Sequence, residues 1–148
     1  MTSSVPLRLA QLVALGRIGI GCTALVAPTA MARPWIGDAA SGPEARVLAR
    51  TMGGRDLALG IGALRALGVD SAVARPWVAL AGLADAVDAT VTVLAFRRLP
   101  RLSRWAILAS TVGSAVVSFR VAVTLEPDPG SVGIGPPSPP PLPQASTS

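Results

Sequence analysis

Residues 53–64 read GGRDLALGIGAL: Arg55 and Asp56 stand side by side, with small and apolar residues around them, about halfway along a long apolar segment. Two adjacent charges in such a setting are costly unless they meet partners, because a charged side chain at the centre of a bilayer costs about 2.5–3.5 kcal/mol on insertion scales. Their position implies a charged cluster inside a membrane bundle, and the rest of the chain is consistent with that frame.

Only 14% of the 148 residues are charged and 51% are hydrophobic, with a mean hydropathy of +0.56. Soluble domains carry about 25% charged residues, and a soluble bundle this apolar could not cover itself with polar surface. Four apolar segments follow one another: about Leu7 to Met31, Val47 to Leu67, Pro76 to Phe96 and Trp105 to Leu125. Each has about the 20 residues that a helix needs to cross a bilayer core. The connections are short, which makes neighbouring helices antiparallel. The expected fold is therefore all-α and integral to the membrane: a transmembrane domain, residues 1–125, of four antiparallel helices in a bundle. From Glu126 to Ser148 the chain is rich in Pro, Gly and Ser, a composition expected to be disordered. Its PPSPPPLP stretch has the form of a ligand for an aromatic groove, although a solvated tail is the plainer reading.

The connections carry helix stoppers and interface residues. The string ARPW occurs twice, at Ala32–Trp35 and Ala74–Trp77. Trp and Arg anchor helix ends at the interface and Pro suits a helix start. No fixed-period repeat accompanies the two copies, so coincidence explains them better than duplication. The N-terminal run ends in an A-x-A string, Ala30-Met31-Ala32, as a signal peptide would. However, it is long and carries Arg17 in its middle, so a retained first helix is expected.

All 13 basic residues are arginine and the net charge is +5. The arginines divide between connections and helix interiors, which speaks for topology rather than nucleic acid. Arg33, Arg46, Arg97, Arg98, Arg101 and Arg104 fall in the first and third connections, against Arg8, Arg65 and Arg75 on the other side. Six against three puts the first and third connections in the cytoplasm and both termini outside the cell membrane.

There is no His, and Cys22 is the only Cys. That excludes a His/Cys zinc site, haem ligation by His and an internal disulfide. Cys22, inside an apolar run, is expected to act as a small packing residue. Nucleophile elbows, P-loops and zincin signatures are missing, and GRIGIG at 16–21 lacks the strand–turn–helix setting of a phosphate loop. No cofactor and no metal are expected.

The charges fall at similar depth. Arg17 lies near the middle of the first segment, Arg55 and Asp56 of the second, and Asp85 and Asp88 of the third. A rise of about 1.5 Å per residue lets all five lie within about 5 Å of the midplane. Asp85, Asp88 and Thr92 share one helical face. The cluster sums to two cations and three anions, or −1, so a proton or a bound cation would balance it. Gly54, Ala58, Gly62 and Ala66 form a small stripe at four-residue spacing, expected to pack against another helix, with Gly53, Asp56 and Gly60 alongside. Ser110, Ser114 and Ser118 repeat the spacing in the last segment and can hydrogen-bond between helices.

The string Gly53-Gly54-Arg55-Asp56-Leu57-Ala58-Leu59-Gly60, with the later Asp85-Ala86-Val87-Asp88, resembles an uncharacterised family of small bacterial four-helix membrane proteins, common in actinobacteria, that is similar in a G-x-R-D-L-x-L-G stretch. Arg17 and the glycines after it resemble the first helix of the wider DoxX-like group. The resemblance covers about residues 10 to 125 and implies the same architecture and the same charged residues as the site. The DoxX-like likeness implies redox-associated membrane complexes, and the lack of His and near-lack of Cys speaks against a direct redox role.

Three functions fit a mid-membrane charge cluster. In the first, a transport or permeation component, Asp56, Asp85 and Asp88 bind a proton or small cation while Arg17 and Arg55 balance charge; so small a bundle would work as a homo-oligomer. In the second, an accessory subunit of a larger membrane complex, the charges only lock the bundle and a membrane protein partner covers it. A membrane enzyme comes third, because two carboxylates can do acid–base work but no nucleophile or substrate pocket is visible; no enzymatic activity is expected. A transporter requires an open path to Asp85 and Asp88, and a subunit requires a sealed cluster.

Overall fold

The computed structural model describes residues 4–101 and 103–125. The expected disordered tail, 126–148, lies outside them. Among the described residues all regular structure is helical: α1 (Ser4–Val26), α2 (Pro28–Ile36), a 3-10 turn (Gly37–Ser41), α3 (Pro43–Leu67), α4 (Ser71–Leu94) and α5 (Ser103–Thr124).

Three helices are long and apolar enough to cross a membrane, over Val5–Val26, Ser71–Leu94 and Ser103–Thr124. This fits a membrane protein. The segment expected as the second span forms one helix of 25 residues but is not among the three. It carries Glu44, Arg46, Arg50, Arg55, Asp56 and Arg65, too many charges for its apolar residues to outweigh.

The first segment is not one helix to Met31. It breaks at Ala27 (φ −126°, ψ 61°) and restarts as α2 with Pro28 in its first turn. Proline has no N–H to give to the preceding turn and disfavours helical backbone in the residue before it. Helix α2 then runs through the first ARPW string, with Pro34 inside it, and ends at Gly37, whose φ of 65° is the one positive value among the described residues. The second ARPW string is not a helix start either. Helix α4 begins five residues earlier, at Ser71, where the Asp70 carboxylate caps it by accepting from the Ala72 N–H at 3.0 Å. Pro76 lies within the helix. Helix α3 begins at Pro43, earlier than Val47, because proline is well suited to the first helical position.

Helix α1 packs mainly on α3, and α4 on α5, while α3 joins the two pairs through α4. The buried positions of α1 are Ala10, Ala14, Arg17, Gly21 and Ala24. On α3 they include Ala49, Gly53, Gly60, Ala63 and Ala66. The α1 series alternates fours and threes, and the α3 series steps by four, seven, three and three, both close to the seam spacing of helices that pack along their length. Small residues allow close approach. A Cβ on Gly21 would stand 2.7 Å from the Gly53 carbonyl oxygen, and one on Gly60 2.7 Å from the Ala14 carbonyl oxygen. The close approach of α1 therefore runs through Gly53 and Gly60, which stand alongside the expected series, and of that series only the later half packs. Gly54 and Ala58 are exposed, with nothing within 4 Å of a Cβ on Gly54. Gly62 lies under the Trp77 ring, and Ala66 joins a buried cluster.

The size distribution is the reverse of a soluble core. Most buried hydrophobic residues are alanines, while Leu12, Leu15, Leu80, Leu83, Val116 and Val123 are exposed. Large side chains outside and small ones inside suit a solvent of acyl chains, where close backbone contact rather than burial of large residues draws helices together. Cys22 also faces outward, not into a packed interior. One apolar cluster (Ala10, Ala66, Ala74, Val78, Val121, Ala122, Leu125) closes one end of the bundle, and another (Ala32, Ala40, Ala49, with Ile36) forms under α2 at the other.

The glycines give opposite expectations. Gly53→Ala places a methyl 2.7 Å from the Ala24 Cβ and should cost about 1–3 kcal/mol by overpacking. Gly54→Ala meets nothing and should be neutral, or stabilising by up to about 1 kcal/mol through helix propensity. Thermal unfolding of the two purified variants in detergent checks the difference in sign.

Candidate functional site

Seam spacing explains how the charges meet. Arg17 takes the buried position between Ala14 and Gly21 on α1, and Asp56 falls between Gly53 and Gly60 on α3. On α4, Asp85 continues the buried series from Ala74 through Val78 and Ala81, and Asp88 is one helical turn further on. Arg17, Asp56 and Asp85 sit where a small apolar side chain would otherwise pack, and Arg55 and Asp88 stand beside them.

All five residues are brought together in one alternating chain. Arg17 is 5% exposed. Its Nη1 donates to Asp56 Oδ1 at 2.7 Å, and its Nη2 donates to the Ala81 carbonyl at 2.6 Å and pairs with Asp85 Oδ2 at 2.6 Å. Asp85 Oδ2 also accepts from the Ser114 hydroxyl of α5 at 2.6 Å. From Asp56 the chain continues to Arg55, whose Nε and Nη2 donate to the same Oδ1 at 3.3 and 3.2 Å. Arg55 then grips Asp88 with two parallel bonds, Nη1 to Oδ1 at 3.1 Å and Nη2 to Oδ2 at 2.7 Å. Such a fork is the strongest form of arginine–carboxylate pairing. The order is Ser114, Asp85, Arg17, Asp56, Arg55, Asp88, and it ties α1, α3, α4 and α5 at mid-height.

The two ends of the chain differ. Asp85 is 8% exposed and enclosed by Arg17 and Ser114. Asp56 and Asp88 instead reach the wall of a cavity of about 230 Å³. Its other walls are apolar, from Ile20 and Ala24 of α1, Met31 and Trp35 of α2, Met52 of α3 and Val91 of α4. Thr92, the third residue of the expected α4 face, also lines it and donates its hydroxyl to the Asp88 carbonyl at 2.7 Å.

Of the three serines, Ser114 alone bonds to another helix. Ser110 donates to the Ile107 carbonyl of its own helix, and Ser118 is fully buried with its hydroxyl unpartnered among the described residues. Gly54, Ala58 and Gly62 lie outside the charge network. Sequence reading did not find the cavity, because its roof is α2, which exists only through the break at Ala27. The available signal was Pro28 within the first apolar segment. Among the described residues no group of three or more His, Cys, Asp or Glu could hold a metal ion. No family model, curated protein or solved structure matches the chain.

The pairing ranks the arginines. Arg17→Ala leaves Asp56 and Asp85 without their shared buried cation, and breaking such a pair costs about 3–5 kcal/mol. Arg55 is 32% exposed at its side chain, so solvent can partly replace it, and Arg55→Ala, which leaves Asp56 still paired with Arg17, should cost less. Unfolding midpoints in lipid nanodiscs test the order.

Proposed function

We propose that the chain is a multi-pass cell-membrane protein in which α1, α3, α4 and α5 cross the bilayer as four antiparallel helices, and that it acts as a transport or permeation component for a small solute or proton at Asp56 and Asp88. The observation that carries the functional part is the contact between the charge network and the cavity: both carboxylates line an otherwise apolar chamber.

Two features support the fourth span. Arg55 and Asp56, the charges at the middle of α3, have their partners on α1 and α4 or in each other. The charge count of α3 therefore overstates what lipid would meet. In addition, Gly21 packs near Gly53 while Gly60 packs near Ala14, so the contacts descend one helix as they ascend the other. Asp85 pairs with Ser114 while Gly82, earlier on α4, approaches Ser118, later on α5. Both registers fit antiparallel neighbours.

For orientation, Arg33, Arg46 and Arg50 line one broad depression beside the Ala27 break. Gly37 lies near Pro100, which brings the connection bearing Arg97, Arg98 and Arg101 to the same end. An arginine-rich end favours the cytoplasmic side, with both termini on the opposite side. In a Cys22→Ser background, single cysteines replacing Asp38 or Arg101 should react with an impermeant maleimide only after cells are opened, and one replacing Val69 should react in intact cells.

The sealed pairing of Asp85 favours a second role for the inner half of the network, a lock that fixes helix register, and on that ground an accessory-subunit reading stands beside the first. Proton flux into liposomes carrying the purified protein separates them. Permeation predicts a flux that falls at least about tenfold in Asp56→Asn and Asp88→Asn, the change that a difference of about 1.4 kcal/mol produces. A lock alone predicts no flux in any sample and lower unfolding midpoints in the variants.

A further inference from the structure

Resting on the reading of the cavity as a solute site, we infer that its occupant is a small apolar monocation of the alkylammonium class. The polar groups on the wall set the class. Asp56 and Asp88 present carboxylates, which accept hydrogen bonds and do not donate them when ionised. The Thr92 hydroxyl already donates to the Asp88 carbonyl. The arginines beside the cavity donate into the network, Arg17 through Nη1 and Nη2 and Arg55 through Nε, Nη1 and Nη2, and Arg17 Nε, unpartnered among the described residues, is buried away from the wall. The donor left on the wall is the Trp35 indole N–H, and an anion would face two carboxylates there.

Charge and geometry point the same way. The network of Arg17, Arg55, Asp56, Asp85 and Asp88 sums to −1, one cation short of neutrality. Asp56 Oδ1 takes bonds from Arg17 and Arg55, whereas no hydrogen bond or ion pair reaches its Oδ2 among the described residues. An ammonium group at that oxygen would make a charge-assisted bond, about twice the strength of a neutral one. The remaining wall suits an alkyl group, and Trp35 offers an aromatic surface that attracts cations. A volume of about 230 Å³ sets the size: at the roughly 30 Å³ that a water molecule occupies in the liquid, it holds about seven or eight heavy atoms.

Trp35 on the cavity wall provides the readout. The full chain with Trp77→Phe and Trp105→Phe, in lipid nanodiscs, is titrated with n-hexylammonium, 1-hexanol and hexanoate, which share a chain length and differ in head group. The same titrations on Ala95→Phe, which fills the cavity from its wall, measure partition into lipid alone. The expected result is a saturable change in Trp35 emission with n-hexylammonium, at least about tenfold tighter than with 1-hexanol, absent in Ala95→Phe and reduced to within about twofold of the alcohol in Asp56→Asn. Equal binding of alcohol and ammonium, or tighter binding of hexanoate, overturns the cationic class and leaves the solute site standing. No saturable change with any probe overturns both. If Asp56→Asn does not fold, the ranking of the three probes on the unsubstituted network still decides.

Discussion

The guanidinium of Arg17 is the constraint from which the rest of the bundle follows. It is almost fully buried and reaches α3 through Asp56 and α4 through the Ala81 carbonyl and Asp85. A charge held that far from water requires both carboxylates near it, so the axial positions of three helices are fixed relative to one another. Seams of alanine and glycine could slide, since one small residue packs much like the next. The ion chain removes that freedom, which is the best-attested use of buried polar groups. Ser114 extends the constraint to α5 by accepting the outermost place in the chain.

Small seam residues and mid-helix charges serve the same arrangement. Close backbone approach at Gly21, Gly53 and Gly60 shortens the distance that Arg17 must span, and the ion pairs hold those glycines opposite their partners. Neither feature would be stable alone in lipid. Unpaired charges would be expelled, and an all-small seam would lack register. Their combination also accounts for the outward placement of large residues such as Leu12, Leu80 and Val116: the interior has no room for them.

The helical class, the apolar segments and the five charged residues could be read from the sequence because each rests on a local property: hydropathy over about 20 residues, and the cost of charge in an apolar setting. The seam was harder to read. Gly54, Ala58, Gly62 and Ala66 make an even four-residue series of which only the later half packs, whereas the α1–α3 seam mixes steps of three and four and includes Arg17 and Asp56 among its positions. A search for small residues passes over charges that occupy seam sites. Proline marks helix ends poorly in this chain: Pro34 and Pro76 both lie inside helices, and Pro28 breaks a segment whose hydropathy is continuous. The cavity depends on contacts among α1, α2, α3 and α4, and no local property of the chain encodes it.

Helix α2 has a particular standing in this arrangement. It is bracketed by the non-helical torsions of Ala27 and the positive φ of Gly37, and the ion chain does not touch it. The other walls of the cavity belong to helices held by charge. The roof lies between two breaks in the helical torsions and is held by the apolar contacts of Ala32 and Ile36. The chamber therefore has walls whose register the ion chain sets and a cover that this chain leaves to apolar packing, so its two halves rest on different kinds of contact.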